Sequence, residues 1–123
     1  MVQTVVSQLD AFRRGDWAAA YGYASAAIKD RFPPEAFRRM VAEGYAAIAD
    51  SVRSTVLDVV LLTPQHGLVE IRVEGRNGQS LDALYELVEE QGAWRIASVV
   101  ARPTAPGELA RARPRPGAER RAA

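Results

Sequence analysis

The chain has 123 residues, 48% hydrophobic and 25% charged, which suits one globular domain and leaves no room for two. It contains no cysteine, so disulfides, thiol nucleophiles and Cys-ligated metal centres are excluded. The net charge is +1, with a mildly acidic body and a basic C-terminal segment. We therefore expect no nucleic-acid surface on the body. No apolar run approaches the roughly 20 residues that a membrane-spanning helix needs, so we expect no such segment either.

The single histidine, His66, lies in the stretch 63–67, which contains proline and glycine and is typical of a turn. A lone histidine in a turn is usually solvated, so we expect no catalytic triad around it. With no cysteine and one histidine, the sequence predicts no metal site and no cofactor.

The first 48 residues have the periodicity of helices. Apolar side chains recur at helical spacing over residues 2–12, 17–28 and 34–48, and this predicts three helices. Asp16 is placed to cap the second helix, and Pro34 is placed to begin the third.

From residue 51 the hydrophobic period changes from 3.6 to 2. Four strands are predicted at about 54–62, 68–74, 81–88 and 94–102, separated by short turns. Connections this short require antiparallel hairpins. The predicted fold is α+β, with three N-terminal helices packed on a curved four-stranded antiparallel meander.

The turn lengths predict how the strands pair. A five-residue first loop would place Val59 opposite Ile71. A three-residue second loop would place Val69 opposite Tyr85, and a two-residue third loop would place Tyr85 opposite Ser98. These registers keep one face of the sheet apolar, which is what a face covered by helices requires.

The two faces of the predicted sheet differ in character. The inner face carries Leu57, Val59, Leu61, Val69, Ile71, Val73, Leu81, Ala83, Tyr85, Leu87, Trp94, Ile96, Ser98 and Val100. The outer face carries charged residues, with Arg72 between Asp58 and Asp82, around an aliphatic patch of Val60, Leu62, Leu84 and Val99.

Three stretches carry a resemblance to a known family: QLDAFRRGDWAAAYGYASAAIKDRF (8–32), FRRMVAEGY (37–45) and LYELVEEQGAWRIASVV (84–100). With them, residues 2–102 resemble the cone-shaped nuclear transport factor 2-like superfamily, and most closely the bacterial domain of unknown function 4864 family. The resemblance implies no settled activity. Isomerases, dehydratases and cyclases in that superfamily place a tyrosine and carboxylates inside the cone.

Three functional hypotheses remain open. The leading one is a non-catalytic module that binds a small apolar ligand through Tyr21, Tyr45, Tyr85, Trp94 and Ser98, or that assembles as a homodimer through the outer aliphatic patch. The first alternative is an isomerase- or dehydratase-type enzyme using Asp58, Asp82 and Tyr85. The second is a protein-interaction domain whose core is filled.

The domain is expected to span residues 1–102, followed by a flexible Pro/Arg/Ala-rich tail over 103–123. The N-terminus has no basic-then-apolar pattern of an export signal, so we expect a cytoplasmic protein, or a periplasmic one if such a signal has been removed.

Overall fold

The computed structural model describes residues 1–105. Helices come first and the sheet follows, with this order and these bounds: α1 (Val2–Arg13), α2 (Trp17–Gly22), α3 (Ala26–Arg31), α4 (Pro34–Gly44), α5 (Ala46–Ala49), β1 (Ser51–Thr63), β2 (His66–Gly75), β3 (Ser80–Glu90) and β4 (Ala93–Pro103). The strands form one antiparallel sheet in the order β1-β2-β3-β4. The α+β meander is thus confirmed. None of the helices described here combines the length and apolar character needed to cross a membrane.

The predicted second helix is two helices, because its middle pairs with the sheet. The backbone N–H of Ser25 donates to the carbonyl of Ile96 at 2.8 Å, and the N–H of Ile96 donates to the carbonyl of Tyr23 at 2.8 Å. Ser25 then caps α3, since its hydroxyl accepts from the N–H of Ile28. This pairing covers part of the free edge of β4, which would otherwise expose unpaired backbone groups.

The predicted third helix also ends early, after Gly44. Tyr45 leaves the helical conformation, with φ −136° and ψ 48°, and a separate short helix, α5, follows it. The Tyr45 hydroxyl donates to the Val99 carbonyl of β4 at 3.1 Å, so this break ties the helical layer to the sheet.

The second hairpin has the predicted register. Val69 lies opposite Tyr85, and Val73 lies opposite Leu81. Gly78 adopts φ +85°, the left-handed conformation that the three-residue loop requires and that glycine adopts without steric cost.

The predicted register of the first hairpin is wrong. Val59 lies opposite Val69 rather than Ile71, because the turn has two residues rather than five and Leu62 forms a bulge beside it. A second bulge, at Leu57, shifts the register again farther along β1. Val59 and Leu61 are 44% and 60% exposed, although both were expected in the core. β1 is an edge strand, and an edge strand exposed on both faces places little constraint on its own register.

The third hairpin follows the prediction only as far as its bulge. Leu87 pairs with Ile96 as expected, but Ala97 is an extra residue on β4, and Tyr85 therefore lies opposite Val99 instead of Ser98. Beyond the bulge the two faces are exchanged relative to the prediction: Val99 points inward, whereas Ser98 and Val100 belong to the outer face.

The core lies between the helices and the inner face of the sheet. Its buried side chains are Val5, Leu9, Ala11, Phe12, Ala20, Phe37, Val41, Ala47, Ile48, Val69, Ile71, Val73, Leu81, Ala83, Tyr85, Leu87 and Ile96. Aromatic rings pack against one another on its helical side. Phe12 stacks on Phe37 with ring centroids 6.4 Å apart, and Trp17 is tilted against Phe12 with centroids 5.3 Å apart.

Pro103 and Thr104, the first residues of the predicted tail, belong to the folded structure. Pro103 ends β4, and Thr104 is buried, with its hydroxyl donating to the Asp82 carboxylate at 2.8 Å. The remainder of the predicted tail, from residue 106 onward, lies outside the described residues.

Candidate functional site: an apolar cavity under the helices

A cavity of about 370 Å³ opens between the helical layer and β3–β4. It is lined by Gln8, Phe12, Ala24, Ile28, Arg31, Phe32, Phe37, Met40, Val41, Tyr45, Ile48, Tyr85, Ile96, Ala97, Ser98 and Val99. Most of these side chains are aliphatic or aromatic. A volume in the low hundreds of Å³ and a mostly apolar wall with a few polar groups are typical of small-molecule sites.

The structure brings three of the five predicted ligand-binding residues to this cavity. Tyr45, Tyr85 and Ser98 line it, whereas Tyr21 and Trp94 do not. The Ser98 hydroxyl itself is turned to the outer face, where it donates to Glu86. The Tyr21 ring packs edge-on against Phe37 at 5.2 Å between centroids, behind the cavity wall. Its hydroxyl lies 2.8 Å from the Phe32 carbonyl, which it satisfies as a donor.

Tyr85 is the most unusual group in the wall. Its side chain is fully buried, and its hydroxyl has no hydrogen-bond partner among the described residues. Burial, with a smaller contribution from the nearby Tyr45 hydroxyl, raises the pKa of Tyr85 above its ordinary value. The phenol therefore stays protonated and acts as a hydrogen-bond donor rather than as a base.

Gln8 was missed by the sequence analysis. It is buried and lines the cavity, and its amide nitrogen donates to the Ala20 carbonyl at 3.0 Å, which joins α1 to α2. A signal was present: Gln8 falls between Val5 and Phe12 on the apolar stripe of α1, where a polar side chain must find a partner.

The wall of the cavity contains no carboxylate and no histidine among the residues described. The alternative catalytic group of Asp58, Asp82 and Tyr85 is not assembled, because Asp82 and Tyr85 lie on opposite faces of β3 and neither aspartate lines the cavity. Within residues 1–105, no cluster of three or more His, Asp or Glu side chains is arranged to hold a metal ion.

Comparison with known families gives a clear match. Residues 1–108 match DUF4864, a domain of unknown function. The chain belongs to the DUF4864 family. No functionally curated protein matches it.

Solved structures share the fold of this DUF4864 domain at low sequence identity. An NTF2-like protein of unknown function from Silicibacter pomeroyi is 16% identical, with a TM-score of 0.56, covering 84% of this chain and 92% of that one. Another from Shewanella baltica is 9% identical, with a TM-score of 0.59, covering 85% and 90%. A SEC-C motif-containing protein from Rhodopseudomonas palustris is 19% identical, with a TM-score of 0.59, covering 74% and 70%. The domain is therefore NTF2-like in fold.

The outer face of the DUF4864 sheet holds a buried ion pair. Arg72 donates to Asp82 through two nitrogens, at 2.7 and 3.1 Å, and Arg102 lies 3.6 Å from the same carboxylate. Burial raises the pKa of Asp82, but the hydrogen bonds from Arg72 and Thr104 and the two arginine charges outweigh it, so the pKa is lowered overall. The predicted pairing of Arg72 with Asp82 is confirmed, whereas Asp58 lies opposite Glu70.

His66 is not simply solvated, because it contacts a second outer-face carboxylate. Its Nε2 atom lies 2.6 Å from Glu86, and the Ser98 hydroxyl donates to the other carboxylate oxygen at 3.1 Å. These hydrogen bonds, first that with His66 and then that with Ser98, lower the pKa of Glu86. Ser98 therefore uses its hydroxyl on the outer face, which follows from the bulge at Ala97.

The outer aliphatic patch differs by one residue from the prediction. Val99 lies on the inner face, and Val100 takes its place beside Leu84, its partner across β3 and β4. Leu84 and Val100 are 43% and 68% exposed, and Val60 and Leu62 are also exposed. We call Val60, Leu62, Leu84 and Val100 the outer patch.

Proposed function

We propose that this domain is a non-catalytic module that binds a small apolar ligand in the cavity between its helices and β3–β4. The observation that carries the proposal is an apolar cavity of about 370 Å³ whose lining includes Tyr85, a fully buried side chain whose hydroxyl has no partner among residues 1–105. Proton-transfer chemistry needs an acid or base close to the reacting atom. The described lining offers neither a carboxylate nor a histidine.

The size of the space supports the same proposal. At the packing density of protein interiors, about 0.74, the cavity accommodates about 270 Å³ of ligand atoms. A two-ring molecule such as naphthalene is smaller than this and fits within the cavity. The rings of Phe12, Phe32 and Phe37 in the wall favour a planar apolar body, since aromatic pairs stack or meet edge to face.

A neutral apolar probe tests the proposal directly. Naphthalene should bind one-to-one and saturably, with NMR shifts in the methyl signals of Ile28, Ile48 and Ile96, which line the cavity. Met40→Trp should abolish binding, because the indole ring occupies the space beside α4.

Arg39→Trp is the matched control for this experiment. It adds the same ring to the same helix at an exposed position outside the cavity lining, so binding should be retained. Absence of saturable shifts in the parent protein, or equal binding by the Met40→Trp variant, would reject the cavity as a ligand site.

A second candidate function is assembly as a homodimer through the outer patch. Leu84 and Val100 are large apolar side chains that are cross-strand neighbours on the face away from the helices. Exposed apolar clusters rimmed by charges commonly mark protein interfaces, and a twofold dimer brings the same patch together from two copies. Glu70 lies opposite Leu84 on β2, Asp58 lies next to Glu70 on β1, and Arg102 follows Val100 along β4 on the same face.

Leu84→Arg tests the dimer, because an arginine near the twofold axis would lie close to the same arginine of the second copy and repel it. Light scattering should give a dimer mass for the parent protein and a monomer mass for the variant. Leu61→Arg is the control, since Leu61 is similarly exposed but lies opposite Gly67 on the inner face. A monomeric parent protein at high concentration would contradict this candidate.

A further inference from the structure

Three polar side chains of the cavity lining already donate hydrogen bonds to other groups of the protein. The Tyr45 hydroxyl donates to Val99, the Gln8 amide donates to Ala20, and the Ser98 hydroxyl donates to Glu86. Tyr85 alone among these four side chains has a hydroxyl with no partner in the described structure. A buried hydroxyl without a partner is costly, so an incoming ligand gains affinity if its own polar atom reaches this group.

The second polar group is at the solvent-exposed side of the cavity. Arg31 lines the cavity but is itself exposed, and its guanidinium lies 5.4 Å from the centroid of the Phe32 ring, another lining residue. Within residues 1–105, no carboxylate lies within ion-pair distance of Arg31. A guanidinium held at the rim against an aromatic ring is well suited to a planar anion such as a carboxylate.

Most of the remaining lining is apolar. Tyr85 is fully buried, Arg31 is exposed, and side chains such as Phe12, Phe37 and Val41 belong to the same lining. A carboxylate placed against Tyr85 would lose its hydration without gaining a cationic partner, which is strongly unfavourable. The buried end therefore selects a neutral polar atom, and the rim selects the charged one.

Building on the proposed ligand-binding function, we propose that the ligand is a small aromatic carboxylic acid with a hydroxyl or carbonyl oxygen at the end remote from its carboxylate. The remote oxygen pairs with the Tyr85 hydroxyl. The ring lies among the aromatic side chains of the cavity. The carboxylate pairs with Arg31 at the rim.

Four related probes separate these contributions: naphthalene, 2-naphthol, 2-naphthoate and 6-hydroxy-2-naphthoate. Titration of the parent protein should show 6-hydroxy-2-naphthoate as the tightest binder. The hydroxyl should increase affinity about three- to tenfold, the range of one net hydrogen bond. The carboxylate should add up to about fivefold at low salt, as expected of a solvent-exposed ion pair, and this gain should shrink as salt is raised.

Two variants assign each gain to its residue. Tyr85→Phe should remove the gain from the hydroxyl and keep the gain from the carboxylate. Arg31→Met should do the reverse, because methionine keeps an apolar stem at the rim without the charge. Circular dichroism of both variants verifies that they remain folded, and each gain is measured relative to the affinity of the same variant for naphthalene.

The outcomes distinguish this inference from the proposed function. If naphthalene binds in the cavity but neither polar group improves affinity, or if either gain survives in its matched variant, the ligand class is wrong and the cavity remains a binding site. If none of the four probes binds, the proposed function fails and the ligand class fails with it.

Discussion

Asp82→Asn is expected to lower the free energy of unfolding by about 3–5 kcal/mol, the usual cost of removing one partner from a buried ion pair. The side chains of Arg72 and Asp82 are 11% and 4% exposed, so the arginine would lose a charge partner in a site largely shielded from water. Thr104 would also lose the carboxylate to which it donates. Urea unfolding of the two proteins measures the difference.

Glu74→Gln is the matched control for Asp82→Asn. Glu74 is on the same outer face, but its pair with Arg53 is long, at 3.8 Å, and both side chains are substantially exposed. Exposed pairs contribute little, so the expected change is at most about 1 kcal/mol. If Asp82→Asn cost no more than this control, the buried pair would not be an important part of the stability.

The same carboxylate predicts how stability depends on pH. The pKa of Asp82 is lower in the folded protein than its ordinary value of 3.8, so the folded state favours the ionised form. Its contribution is therefore complete above about pH 4 and is lost as the pH falls through the folded pKa. The Asp82→Asn variant should lack this part of the acid-dependent loss.

Tyr85→Phe should stabilise the ligand-free protein by about 1–3 kcal/mol, the range of the penalty for burying a polar group without a partner. The hydroxyl is fully buried and has no partner in the described structure. Phenylalanine keeps the ring and its packing while removing the oxygen. The measurement is again urea unfolding, here in the absence of any ligand.

Tyr45→Phe should change stability in the opposite direction. Its hydroxyl donates to the Val99 carbonyl at 3.1 Å, and loss of that bond should cost about 0.5–1.5 kcal/mol. If Tyr85→Phe were also destabilising, then cavity water would satisfy the Tyr85 hydroxyl, and the argument from its lack of a partner would fail.

The parts of the fold that sequence alone could predict are those whose signals are local. The change of hydrophobic period near Ser51 separates the helices from the sheet, and the glycine at position 78 sets the register of the central hairpin. Where a contact between distant segments decided the outcome, the prediction was wrong. The interruption between α2 and α3 depends on backbone pairing of Ser25 with Ile96, 71 positions away in the chain.

The candidate site could be predicted only where its residues belong to strongly periodic elements. Tyr45 and Tyr85 could be placed on the inner side because their elements are strongly periodic. Ser98 was assigned to the inner face because the bulge at Ala97 leaves no clear mark in a strand of small and aliphatic residues. Gln8 and Arg31 were missed because a polar residue within an amphipathic helix reads as solvent-facing until its neighbours are known.

The bulge at Ala97 divides β4 into two segments. Even-numbered residues face the helices before the bulge and face the outer side of the sheet after it. Side chains alternate along a strand, so a chain that lacked Ala97 would run without the bulge and would keep Ser98 opposite Glu86 and Val99 opposite Tyr85. A single-codon deletion here would thus remove the irregularity and leave the same side chains on each surface. Sequence comparison across such a deletion would have to place the gap at Ala97, because a gap placed several residues away would assign the intervening residues to the wrong faces.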